Sequence, residues 1–289
     1  MVERRIYERP QGVSEEKPKR VALYDLSVLP TTYDFACYAV IAKTLGYDEI
    51  RFVVDRGMAT WKYPADIGWR RWANICIPTC ALADIKFSVG SRTIDGDILG
   101  YKTGDVERVY KHIGHIVKLV SPLKYDKEGY VTLTMRQSFR GGWRNSNVPE
   151  WKRVAEWLKS QKEEVIILDE CEANPIAIER RMAVYVNAKM NLAVGNGPMV
   201  LCWLSEAPYL TFQLPAREGR EEKYDALVKQ WDKMGFPVGS QLSWKVARQE
   251  IVWGPDDYDL IRQKYEQMMG QQKEETHENR PPAQARASL

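Results

Sequence analysis

Short apolar runs alternate with segments of helical periodicity along most of this chain, and that alternation confines it to an α/β architecture with parallel strands. Arg20-Val-Ala-Leu-Tyr-Asp-Leu reads as a buried strand. After the loop Ser27–Thr32, a helix from about Tyr33 to Leu45 puts Phe35, Tyr38, Ala39, Ala42 and Leu45 on one face, and Gly46 ends it. Glu49-Ile-Arg-Phe-Val-Val-Asp spells the second strand, and Ala83–Val89 a third. Residues 56–80 are rich in Trp and have no clear period; Trp61, Trp69 and Trp72 are read as core, an acceptor platform or a subunit contact. Residues 90–104 read as a loop, and Ile116–Val120 as a further strand.

The second half spells strands at Tyr130–Met135, Glu164–Asp169, Asn191–Gly195 and Tyr209–Gln213. Between them lie a helix carrying Trp151, Val154, Ala155 and Leu158, with Asn147 as its expected N-cap, a helix from Asn174-Pro175 to about Ala188, and an apolar helix Met199–Leu204. A last helix opens near Asp256 and repeats Tyr258, Ile261, Tyr265 and Met268. The pattern implies two doubly wound, Rossmann-like domains at 20–125 and 126–270. A flexible arm over 1–19 and a disordered tail over 271–289 flank them.

A net charge of +3 over 289 residues is too mild for nucleic-acid binding by bulk electrostatics. The five cysteines are odd in number and sit mostly in apolar runs, which suits buried thiols in a reducing compartment. Cys76-x-x-x-Cys80 lacks the second pair of a zinc site. The polar start is no signal peptide and no apolar run reaches membrane-span length, so the expectation is a soluble cytoplasmic protein.

The chemistry concentrates in one stretch. Arg136, Arg140 and Arg144 lie on a glycine-containing loop that leaves a strand, passes Asn145-Ser146-Asn147 and opens a helix. Arginines at the carboxyl end of a strand, beside a helix start, suit a polyphosphate, and Asn145 and Ser146 next to them read as further ligand contacts. Arg140 and Arg144 also read as plain solvated charges. Gly195-Asn196-Gly197-Pro198 is either an ordinary strand-to-helix turn or a place where a phosphate meets backbone N–H groups at Met199. Asp95-Gly96-Asp97 fits an acidic metal motif but reads first as a common turn, and His112 and His115 on a helix lack a third ligand, so no metal site is expected. The Gly-x-Gly-x-x-Gly fingerprint of nicotinamide enzymes is missing after the first strand, where Leu26-Ser-Val-Leu-Pro stands.

Strand–Arg136–loop–Arg144-Asn-Ser-Asn–x–x–x–Trp151, then strand–Asp169, then Asn196-Gly-Pro-Met–x–Leu-Cys-Trp-Leu, with Trp253 and Asp256-Asp257, resembles bacterial GT-B type glycosyltransferase-like proteins of polysaccharide biosynthesis. The likeness covers about residues 130–260, and its paired arginines resemble those of fucosyltransferases. The resemblance implies two Rossmann-like domains facing across a cleft. It also implies metal-independent transfer of a sugar from a nucleotide-diphosphate donor to a glycan or other hydroxyl acceptor, with no further cofactor. By resemblance Arg136 and Arg144 contact the diphosphate, Asn196 and Gly197 present backbone to it, and Asp169 and Glu170 lie near the ribose or base. The base of an inverting transfer would come from the first domain. Asp34 is the chosen residue, and helix capping is its other reading. The alternative is a GT-B-like scaffold or binding protein without turnover.

Overall fold

The computed structural model describes residues 19–59, 62–92, 96–138, 144–169, 176–213 and 221–278. Its first half runs β1 (Val21–Asp25), α1 (Phe35–Thr44), β2 (Glu49–Val53), α2 (Ala65–Arg71), α3 (Ile77–Leu82), β3 (Lys86–Gly90) and α4 (Thr103–Ile113). The strands form a parallel sheet in the order β1-β2-β3. Alternation decides its faces. Ala22, Tyr24, Ile50 and Phe52 point into the core beneath α1. The other face carries Glu49, Arg51 and Ser88, linked by hydrogen bonds and joined by Lys19. Among the described residues helices cover one face of this sheet, which differs from the doubly wound expectation. Its third strand is an exposed edge, with Phe87 and Val89 open to solvent.

Helix α1 is buried from Phe35 through Ala42 rather than along one stripe. It is enclosed by its own sheet, α3, α4 and a helix of the second half, and a helix covered all round has no polar face to show. From Ala65 to Leu82 the chain is one helical rod. Between α2 and α3 it widens into a π-helical turn at Trp72–Cys76. Pro78, just beyond, lacks an N–H and would clash with the carbonyl four residues back, and the wider turn relieves that clash. Trp72 packs edge-on against Phe52 at 5.6 Å, whereas Trp69 is partly exposed; Trp61 lies outside the described residues.

Two expectations fail here. Ile116–Val120 is not a strand: Leu119 N bonds to Leu204 O at 2.8 Å and Val120 N to Leu82 O at 2.9 Å, so the segment straps two helix ends together. The His112–His115 helix face does not form, because left-handed Gly114 (φ 86°) stops α4 between them. Asp97 forms a bridge beside β1 and accepts the Tyr47 hydroxyl at 2.6 Å, a structural role; Asp95 lies outside the described residues.

The second half runs β4 (Val131–Met135), α5 (Val148–Ser160), β5 (Val165–Asp169), α6 (Ile178–Asn187), β6 (Met190–Val194), α7 (Met199–Trp203), β7 (Tyr209–Phe212), α8 (Glu221–Lys233), β8 (Gln249–Val252) and α9 (Tyr258–Glu278). All its strands are parallel, in the order β5-β4-β6-β7-β8. Residues of α5 and α9 share a core with one face, and α6, α7 and α8 cover the other, so this sheet is doubly wound. On α5, Trp151, Val154, Ala155 and Leu158 are the buried residues, as their spacing predicts. Helix α9 continues through Glu278, past the expected tail boundary at 271, because Gln, Lys and Glu in that stretch favour helix. Strand β8 and helix α8 are additions to the sequence reading.

One apolar cluster spans both halves. Tyr24, Phe35 and Cys76 belong to it together with Ile178, Tyr185 and Leu201; α1 lies against α7, and α3 against α6. Cys37, Cys76, Cys80 and Cys202 are buried free thiols, and burial pushes Cys80 up to about 12. Cys171 lies outside the described residues. Among the described residues no helix is long and apolar enough to cross a membrane.

Candidate functional site

The order β5-β4-β6-β7-β8 reverses direction between β4 and β6, and in open parallel sheets ligands gather at the carboxyl ends of strands at that switch point. Arg136 leaves β4 there and Gly195-Asn196-Gly197 leaves β6. A cavity of about 430 Å³ opens between them and the first half.

The arginine loop is tied at its neck. Arg136 N donates to Ser146 Oγ at 2.9 Å, and Ser146 N donates to Arg136 O at 3.0 Å. Ser138 N donates to Asn145 Oδ1, and Asn145 Nδ2 donates to Ser138 O, both at 2.9 Å. Asn145 and Ser146 thus hold the loop rather than line the cavity. Arg144, delivered by this closure, donates through Nη2 to Gly195 O at 3.1 Å. Arg140 and Glu170 lie outside the described residues.

Across the switch point, Asn196 is buried. Its Oδ1 accepts Met199 N at 3.2 Å, and its Nδ2 reaches Thr134 O at 3.5 Å. The first amide of α7 is therefore used internally, and that helix is only five residues long, which removes much of the expected dipole contribution. Met199 is fully buried in the core, while Gly197 and Pro198 line the cavity. A Cβ on Gly195 would stand 2.2 Å from Gln213 Oε1, and one on Gly197 would stand 2.7 Å from Tyr33 Cδ2. Close packing against Tyr33 favours glycine at 197, whereas at 195 the flexible end of Gln213 would have to move. Asp169 ends β5 in an exposed position and does not line the cavity.

The first half supplies the rest of the wall. Thr32, Tyr33 and Asp34 come from the β1–α1 loop, Lys62, Tyr63 and Arg71 from around α2, and Lys102 and Thr103 from the start of α4. Lys102 Nζ pairs with Asp34 Oδ2 at 2.6 Å. Arg71 donates Nε to Thr31 O at 3.0 Å, with the Tyr63 ring centre 4.6 Å from its guanidinium carbon. Trp203, Leu227, Trp231 and Met234 make an apolar side. Lys62, Arg71, Lys102, Gln213 and this apolar side escaped the sequence reading. They come from distant segments, and nothing local distinguishes them from ordinary surface or core residues.

Five basic side chains and one carboxylate thus line the cavity among the described residues. Burial, then the neighbouring charge of Arg136, pushes the Arg144 guanidinium down to about 10, with Asp34 opposing. Burial also lowers Lys62; Asp34 opposes this, and Lys102, Arg71 and Arg144 add to it. For Lys102 burial acts downward, but the Asp34 charge and hydrogen bond leave it raised. Cations held close together out of water are positioned to accept an anion. No three His, Cys, Asp or Glu among the described residues cluster to hold a metal ion.

No protein-family model matches the chain, and no curated protein matches its sequence. Solved structures that superpose on it include two of one bacterial enzyme. One is the bacterial iron-containing dodecameric glycosyltransferase TibC from enterotoxigenic E. coli, at 11% identity and TM-score 0.45, covering 89% of this chain and 77% of that one. The other is dodecameric iron-containing heptosyltransferase TibC in complex with ADP-D-β-D-heptose, at 10% identity and TM-score 0.44, covering 91% and 77%.

Proposed function

We propose that the protein is a glycosyltransferase of GT-B type, metal-independent, moving a sugar from a nucleotide-diphosphate donor to a hydroxyl acceptor. The observation that carries this reading is the cavity at the β4–β6 switch point, where Arg136 and Arg144 meet a first-half wall whose one carboxylate among the described lining residues is Asp34. In this reading residues 126–270 hold the donor and residues 20–125 the acceptor. Arg136 and Arg144 stabilise the charge that develops on the leaving diphosphate. In an inverting transfer the acceptor oxygen bonds to the anomeric carbon as the bond from that carbon to the diphosphate oxygen breaks. The electron pair stays on the diphosphate, and the hydroxyl proton passes to Asp34. Enclosure by the aromatic wall excludes water that would hydrolyse the donor.

A thermal-shift series with UDP, GDP, ADP, CMP and dTDP tests it. One nucleoside diphosphate should raise the melting temperature without added metal, and Arg136→Ala should abolish the rise in a folded protein. An unchanged shift in that variant, or no shift with any nucleotide, would remove the assignment.

A second reading, a binding protein of the same shape without turnover, draws support from the Asp34–Lys102 ion pair, which occupies the carboxylate chosen as base. Nucleotide binding with no donor hydrolysis or transfer would select it.

A further inference from the structure

The cavity's cations fall into two groups by origin. Arg136 and Arg144 follow β4 in the second half; Lys62, Arg71 and Lys102 belong to the first. Lys102 is engaged by Asp34. Asp34 lines the same cavity, and its charge favours the charged forms of Lys62, Lys102 and Arg144. Arg71 is almost fully buried. Its Nε is held on the Thr31 carbonyl, and its guanidinium lies beside the Tyr63 and Tyr33 rings, at 4.6 and 5.7 Å. That anchoring fixes the guanidinium at the cavity wall. Lys62, just before α2, lines the same cavity, and its Nζ lies 6.0 Å from the centre of the Tyr63 ring that Arg71 also flanks.

We propose that Lys62 and Arg71 form a second anion subsite, and that the acceptor of the transfer is itself anionic, a sugar or glycan bearing a phosphate monoester. This rests on the reading of Arg136 and Arg144 as the donor diphosphate site. A phosphate monoester carries about −1.5 to −2 charges near neutral pH, a match for two cations. A planar arginine and a point-charge lysine together suit its three oxygens. With that group on Lys62 and Arg71, the acceptor hydroxyl lies toward Asp34, between the anchored phosphate and the donor diphosphate. The reacting atoms are those of the proposed transfer. The phosphate monoester is not broken, and its role is to position the acceptor.

The full-length protein is titrated by calorimetry with inorganic pyrophosphate, then, once saturated, with inorganic phosphate. Wild type should bind both, the second without displacing the first. Lys62→Gln should keep pyrophosphate affinity within about twofold and lose phosphate affinity by about tenfold or more, roughly the loss of one charged contact. Arg144→Gln should do the reverse. The lysine is partly exposed, so its replacement leaves the fold intact, as circular dichroism verifies. Simple competition between the two anions, or equal loss of both in Lys62→Gln, would mean a single site and overturn the proposal. Failure of wild type to bind pyrophosphate would strike the diphosphate reading itself, and this inference with it.

Discussion

The side-chain amide of Asn145 closes a ring with the backbone of Ser138, accepting its N–H and donating to its carbonyl, each at 2.9 Å. Seven residues separate them, and between and beside them stand the arginines of the loop. Asn145→Ala removes both bonds. Each partly buried backbone group left unsatisfied costs about 1–3 kcal/mol. The variant should unfold at lower denaturant and lose anion affinity without losing a charge. Urea titration with and without nucleotide checks this; full affinity in a destabilised variant would separate the loop's closure from the site.

The contact between Gly197 and Tyr33 joins the two halves at the cavity. Gly197→Ala places a methyl 2.7 Å from the ring's Cδ2, with Cγ and Cβ of the same side chain at 3.4 Å, so the tyrosine must move. Overpacking of this kind costs about 1–3 kcal/mol. Combining it with Tyr33→Ala should cost less than the sum of the two single changes, because removing the ring removes the clash. Additive losses in a double-mutant unfolding cycle would contradict the contact.

The second sheet was readable because each element carries its own period. The four buried residues of α5 sit at helical spacing, and β4 and β6 are short, mainly apolar runs buried at every position. The arginine loop was legible for the same local reason, since a strand, glycines and a helix start enclose it. Lys62, Arg71 and Lys102 were not. They meet Arg144 only because the packing of α1 on α7 and α3 on α6 brings the halves together, and no window of sequence records that. Asn145 and Ser146 were noticed as ligand contacts, but composition cannot distinguish a side chain that binds a ligand from one that ties its own loop.

Asp256 shows the same limit at a helix start. Asn147 was the expected N-cap of α5, yet its side chain makes no capping bond. The buried Asp256 instead accepts the backbone N–H of Asn147 at 2.6 Å and the Trp151 indole at 2.8 Å. Asp256→Ala strands two donors and should cost about 3 kcal/mol, with Asp256→Asn closer to wild type because it keeps an acceptor. Thermal unfolding of both variants gives the comparison. Equal losses would show that the charge matters more than the acceptor.

Arg144 sets stability against binding. Burial and Arg136 hold its folded-state pKa at about 10, below the ordinary value of 12.5. A cation whose pKa falls on folding opposes folding. That opposition is complete below about pH 10 and fades as pH rises from there toward 12.5. Near neutral pH the free protein therefore carries it in full, and an anion in the cavity relieves it. Arg144→Met should melt higher than wild type without ligand, despite losing the bond to Gly195, and should gain nothing from nucleoside diphosphate. Wild type should gain from the nucleotide, and its affinity should fall as pH passes about 10. Melting curves of both proteins with and without nucleotide decide the matter. A lower melting temperature for the unliganded variant would make Arg144 a structural strut rather than a charge held ready for an anion.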